Sequence, residues 1–97
     1  MIEPEEFFDK LLSEIKALRQ KKDADYGSSW KKMRLVGLTD IIGVKVERIK
    51  SFENRGNLNF ESIEDSLRDI INYSLFELYK LYEAKQRQTE QGLDNIT

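Results

Sequence analysis

The sequence predicts an all-α fold, a small bundle of three main helices plus a short one, completed by dimerisation. Three observations carry that expectation. Apolar residues recur at three- and four-residue intervals in three blocks separated by glycine-containing turns. No stretch shows the alternation of a half-buried strand, and no internal repeat or interdomain linker divides the chain. The third block, Ile63 to Tyr82, is apolar on two sides, whereas a helix in a small domain needs only one apolar stripe. Such a helix must be covered twice, by other helices or by a second copy of the chain.

In the first block Phe7, Phe8, Leu11, Leu12, Ile15 and Leu18 recur at helical spacing from about Pro4 to Lys22. Pro4 suits a first turn, and Glu5 and Glu6 sit beside the positive end of the helix dipole. The stretch Lys22 to Gly37 is the least regular. Asp25-Tyr26-Gly27-Ser28 reads as a turn, and Ser28 or Ser29 caps a short helix over Trp30 to Val36. Gly37 offers a left-handed stop and Thr39 a cap for the second long helix, Asp40 to about Asn54. Asn54-Arg55-Gly56-Asn57 breaks that helix. Asn59 or Glu61 begins the third, which extends to about Lys85. A single helical domain is thus expected over residues 1–85, with the polar segment 86–97 a frayed or disordered tail.

At about 100° per residue, Leu38, Ile41, Lys45, Ile49 and Phe52 share one arc of the second helix, with Arg48 at its edge. A charge in the middle of an apolar face has two explanations. Either the Lys45 stem snorkels to water, or Lys45 and Arg48 point into a cleft and meet acidic groups or an anionic ligand. The third helix places Phe60, Ile63, Leu67, Ile70, Ile71, Leu78 and Leu81 on one side. Asp65, Asp69, Asn72, Phe76 and Tyr79 lie on the other. Asp65 and Asp69 are either surface acids favoured by the helix dipole or members of a covered site. Like charges at i and i+4 repel, and a cation between them, from Lys45, Arg48 or a metal, reverses that.

Composition bounds the chemistry. Across 97 residues the net charge is −2, with 35% of residues charged. That near balance gives no general reason to bind nucleic acid or an anionic membrane. Cysteine and histidine are both absent, which excludes disulfides, thiolate nucleophiles, imidazole bases and the usual zinc ligands. Any chemistry runs on Asp, Glu, Lys, Arg, Tyr, Ser and a hard, oxygen-liking metal. Five single glycines make no phosphate-cradling loop. No apolar run approaches the roughly 20 residues of a membrane span, and no signal-peptide pattern opens the chain, so a cytoplasmic protein is expected.

Three segments together, KDADYGSSW at Lys22 to Trp30, KVERI at Lys45 to Ile49 and EDSLRDIINY at Glu64 to Tyr73, resemble the nucleotide-modification-associated domain, type 1, a family of small bacterial and phage proteins. The resemblance spans roughly Leu18 to Leu81. More distantly, the Asp65–Asp69 helix looks like the last acidic helix of the MazG-like all-α nucleoside triphosphate pyrophosphatases. In that superfamily helices pair into dimeric four-helix bundles, acids from two helices hold Mg²⁺, and the metal helps water attack the α–β phosphate linkage. The resemblance implies that Asp65 and Asp69 stand for its second acidic motif. The first motif, Glu-x-x-Glu on the preceding helix, has no match in Asp40 to Glu53; the strict runs Glu3–Glu6 and Glu61–Glu64 lie elsewhere. Glu47, Asp40 or Asp25 would have to complete a metal shell.

Two functional classes follow. In the first, the protein is a MazG-like homodimer that binds a nucleotide and hydrolyses a (deoxy)nucleoside triphosphate to monophosphate and pyrophosphate with Mg²⁺. Asp65 and Asp69 hold metal, Lys45 and Arg48 neutralise phosphate, and Asn72 orients ligand or water. Asp25, Tyr26 and Trp30 form a lid over the nucleobase, although a plain core plug is the commonest use of a lone tryptophan such as Trp30. In the second, the chain is a non-catalytic dimeric interaction module whose buried ion pairs fix subunit register. Direct nucleic-acid binding is disfavoured, because the basic run Lys31-Lys32-Met33-Arg34 is short and the acids of the third helix repel phosphate.

Overall fold

The computed structural model describes the backbone of residues 1–56 and 58–96, with side chains described except at positions 25, 26 and 90–96. It is all helix: α1 (Pro4–Tyr26), a short 3-10 helix (Ser29–Lys32), α2 (Leu35–Asn54) and α3 (Phe60–Ile96). The all-α bundle expected from periodicity is the fold.

α1 opens with Pro4 in its first turn and Glu5 and Glu6 beside it, where the missing N–H costs nothing and the carboxylates meet the dipole's positive end. It does not end near Lys22. Lys22-Asp23-Ala24-Asp25 contains no helix breaker, so the helix runs to Tyr26 and stops at Gly27. There φ is 75° and the backbone N–H donates to Asp23 O at 2.9 Å. That positive φ is the conformation only glycine adopts without strain. The expected turn at Asp25 to Ser28 therefore narrows to Gly27 and Ser28, and the short helix covers Ser29 to Lys32 rather than Trp30 to Val36.

Two expectations for α2 are overturned. Gly37 is no stop and Thr39 no cap, because α2 already begins at Leu35 with Arg34 as its extended N-cap. Gly37 sits inside the helix, its Cα side facing the Met33 methyl; a Cβ there would lie 3.7 Å from it. The Thr39 hydroxyl donates within the helix to Leu35 O at 3.3 Å, or across to the Glu77 carboxylate at 2.9 Å. Packing against α3 has overridden local propensity. The far end is as expected: Gly56 has φ 67° and donates to Glu53 O, while Arg55 binds Ser51 O through both its backbone N–H and its Nε. Asn57, placed in the same turn, lies outside the described residues. Asn59 is the cap of α3, its Oδ1 accepting from Ser62 N–H at 3.1 Å.

α2 and α3 form the main helix pair. Leu38 and Ser66 are fully buried where they meet, and Ile41, Lys45, Ile49 and Phe52 are half-buried along the same α2 face, as the helical arc predicts. α1 leans on α3 along a shorter stretch through Ile15. α3 does not stop near Lys85 but continues helically to Ile96, since Lys85 to Gln91 is rich in good helix formers that need no packing to extend the coil.

The chain leaves much apolar surface open. Among the described residues, Ile15 and Leu38 are the only large apolar side chains classed as buried, while Phe7, Phe8, Leu12, Leu67, Leu78 and Leu81 are exposed. The radius of gyration is 17.4 Å, with extents of 60 × 29 × 29 Å, against about 13 Å for a compact chain of this size. On the doubly apolar third helix Phe60, Leu67, Leu78 and Leu81 stay exposed, while Ile63, Ile70 and Ile71 are half-buried.

Candidate functional site

A cavity of about 530 Å³ opens between α1 and α3, closed at one end by the connector that carries the 3-10 helix. That size is in the usual range for small-molecule sites. α1 contributes Glu14, Ile15, Leu18, Arg19, Lys22 and Asp23, a stripe that follows from helical spacing. α3 contributes Asp65, Arg68, Asp69, Asn72, Tyr73 and Phe76, and the connector adds Gly27, Ser29, Trp30 and Met33. The sequence-derived group Asp65, Asp69, Asn72 and Trp30 is therefore brought together in one place.

The partners of these residues are specific. Lys45 Nζ lies 2.9 Å from Asp69 Oδ2, with the two side chains 24% and 36% exposed. Of the two explanations for a lysine on an apolar face, the acidic partner holds. Arg19 donates to Asn72 Oδ1 at 3.0 Å across the cavity, and among the described residues the Asn72 amide N–H groups carry no hydrogen bond. Arg68 reaches Glu14 at 4.0 Å, the limit of an ion pair and weak in a half-exposed setting. Arg48 is exposed and lines no part of the cavity. Asp25 and Tyr26 lie in the last turn of α1; the lid expected of them rests on side chains outside the described set.

Trp30 behaves as a plug. Its ring stacks on Phe76 at 4.6 Å and 4°, meets the edge of Tyr79 at 5.9 Å, and has Lys31 Nζ 5.9 Å from its centroid. The Lys80 ammonium donates to Lys31 O at 2.7 Å and ties this connector to α3. Trp30 also separates the main cavity from a shallower hollow lined by Arg19, Lys31, Leu75 and Tyr79. Its buried indole N–H has no acceptor among the described residues.

Chemically the cavity is mixed. Four carboxylates (Glu14, Asp23, Asp65, Asp69) face three cations (Arg19, Lys22, Arg68), beside an apolar wall of Ile15, Leu18, Met33 and Phe76. A preformed metal cage is not what this donor set makes. Among the described residues no group of three or more acidic side chains is gathered to hold a metal ion, and Asp69 already spends an oxygen on Lys45. Arg68 on α3 carries no signal in the sequence, and Glu14, Arg19, Lys22 and Asp23 flank an apolar stripe of α1 as surface charges do. Only the fold shows that the flank of α1 faces α3.

Among the described residues no helix is long and apolar enough to cross a membrane. Comparison with curated proteins and with solved structures finds no match. The family described as nucleotide modification associated domain 1 does match, over residues 22–81. That span runs from the end of α1 to residue 81 of α3 and includes Asp23, Asp65, Asp69, Asn72 and Trp30, while Glu14 and Arg19 of the cavity lie before it. More than half of the chain is covered, and the chain belongs to the nucleotide modification associated domain 1 family.

Proposed function

We propose that the cavity between α1 and α3 binds a nucleotide, and that the protein acts as a homodimer in the metabolism or modification of (deoxy)nucleotides. The observation that supports this reading is one hollow with both chemistries a nucleotide needs: cations for phosphate and an apolar, aromatic-backed wall for a base. The phosphate role passes from Lys45 and Arg48 to Arg19, Lys22 and Arg68, since Lys45 is paired and Arg48 points elsewhere. Asn72 holds the Arg19 guanidinium towards the ligand and orients ligand or water with its amide N–H groups. The base rests against Leu18 and Met33 beside the edge of Trp30, whose ring faces are already engaged. The family's description points to the same nucleotide-related setting.

The acids fit a divalent cation that arrives with the phosphates better than one held beforehand. Mg²⁺ commonly keeps several waters and takes oxygens from phosphate, needing one or two carboxylates, which Asp65 and Asp69 supply. A MazG-like kinship would extend the reading to hydrolysis of a nucleoside triphosphate to monophosphate and pyrophosphate, in the cytoplasm where such substrates are made. The test is a thermal-shift screen of nucleoside mono-, di- and triphosphates with and without Mg²⁺, followed by a pyrophosphate assay. A ligand at 100 times its Kd stabilises by about 2.7 kcal/mol, so a clear rise in melting temperature is expected for at least one nucleotide, larger with Mg²⁺. Stability indifferent to every nucleotide at millimolar concentration would leave the interaction module, held by Lys45–Asp69 and Arg19–Asn72, as the correct reading.

A further inference from the structure

We propose that two copies of this chain pair antiparallel along the uncovered face of α3, with Ser74 at the two-fold axis and Glu64 of each copy meeting Lys85 of the other. The proposal rests on the homodimer reading above and names the surface that makes it.

α3 has three sides. One meets α2, through buried Ser66 and the Thr39–Glu77 bond. A second, Asp65, Asp69, Asn72 and Phe76, lines the cavity. On the third, Leu67, Ile71, Ser74, Leu78 and Leu81 follow one another at spacings of four, three, four and three, the seam of a two-stranded coil. Among the described residues its outer positions are uncovered: Leu67, Leu78 and Leu81 are about half exposed or more, Leu78 reaching 61%, while Ile71 and Ser74 between them are half-buried. A seam of this kind, in a chain that buries so little else, needs a partner helix.

The pattern along the seam says which partner and which way it runs. Bulky side chains flank a small residue, Ser74, that allows close approach, and the two arms outward from it are nearly equal. One arm ends at Glu64 and the other at Lys85, both exposed. A parallel pair would stack Glu64 on Glu64 and Lys85 on Lys85, which repel. An antiparallel pair about Ser74 brings opposite charges together at both ends. The surface is thus complementary to itself, as an isologous interface requires. It also lies on the far side of α3 from Asp65, Asp69 and Asn72, so each copy keeps its own cavity.

The natural chain has no cysteine, so single introduced thiols give clean distances. Sedimentation of the full chain first establishes whether it dimerises, and a short bis-maleimide then reports the pairing. The proposal expects Ser74→Cys to cross-link with itself, and Glu64→Cys to cross-link with Lys85→Cys in a mixture of the two but not alone. Glu64→Lys should weaken dimerisation roughly two- to tenfold, and Glu64→Lys with Lys85→Glu should restore it. A dimer in which Glu64→Cys links to itself overturns the antiparallel pairing. A dimer with no cross-link at either site overturns the seam while leaving the homodimer reading intact. A monomer at all concentrations overturns both.

Discussion

Lys45→Met removes the cation facing Asp69 while keeping an unbranched stem on the apolar face of α2. What remains is a carboxylate on α3 without its partner, 36% exposed. Breaking a fully buried pair costs about 3–5 kcal/mol, and an exposed pair contributes about 0.2–1 kcal/mol. With side chains 24% and 36% exposed, the expected loss is about 1–2 kcal/mol, between those limits. For a domain of this size that corresponds to a fall in melting temperature of about 5–10 °C. The assay is urea or thermal unfolding of wild type, Lys45→Met, Asp69→Asn and the double variant, all at one protein concentration because dimerisation links stability to concentration. The double-mutant cycle should give a coupling of about 1 kcal/mol, with the double variant more stable than the two single losses predict. A coupling of zero, with Lys45→Met as stable as wild type, would mean that the lysine merely extends to water and that the bridge holds nothing together.

Other substitutions test separate parts of the account. Gly56→Ala keeps open space around the new methyl but forces a φ of 67°, so unfolding should show a loss of about 1 kcal/mol. Ser66→Ala should leave stability unchanged or raise it by up to about 1 kcal/mol, because the buried Ser66 hydroxyl has no hydrogen-bond partner among the described residues; a loss on unfolding would reveal a partner. Arg19→Ala removes the bond to Asn72 and should cost less than about 1.5 kcal/mol of stability. The same variant should weaken nucleotide binding about tenfold or more in calorimetry. Equal nucleotide affinity would remove Arg19 from the site.

How much the sequence discloses depends on whether a feature is local. Gly56 as a turn is decided by its own backbone and is visible in the residue pattern, and Asn59, one of the two starts the pattern offers for α3, caps it through its side chain. The two faces of α3 and the covered arc of α2 follow from helical periodicity, and a lysine inside that arc leaves open whether it reaches water or an acid until the fold places Asp69 beside it. Gly37 and Thr39 mislead because their local preference for caps and stops is outweighed by α2 packing on α3, where Thr39 finds Glu77. The cavity is only half legible. Its α3 wall is a clean stripe of acids and amide, whereas its α1 wall depends on how α1 leans on α3. Arg19 and Asn72 are 53 residues apart, and no spacing rule joins them. Trp30 is readable from the sequence as either a core plug or part of a lid, and its stacking on Phe76 gives it the contacts of a plug.

Trp30 is the chain's single tryptophan and stands at the cavity wall, which makes its fluorescence the most direct test of nucleotide binding there. Titration with a nucleoside phosphate and Mg²⁺ should give a saturable change in Trp30 emission, lost or displaced to higher concentration in Arg19→Ala and Asp65→Asn. An emission that stays constant through millimolar concentrations of every nucleoside mono-, di- and triphosphate would contradict nucleotide binding there.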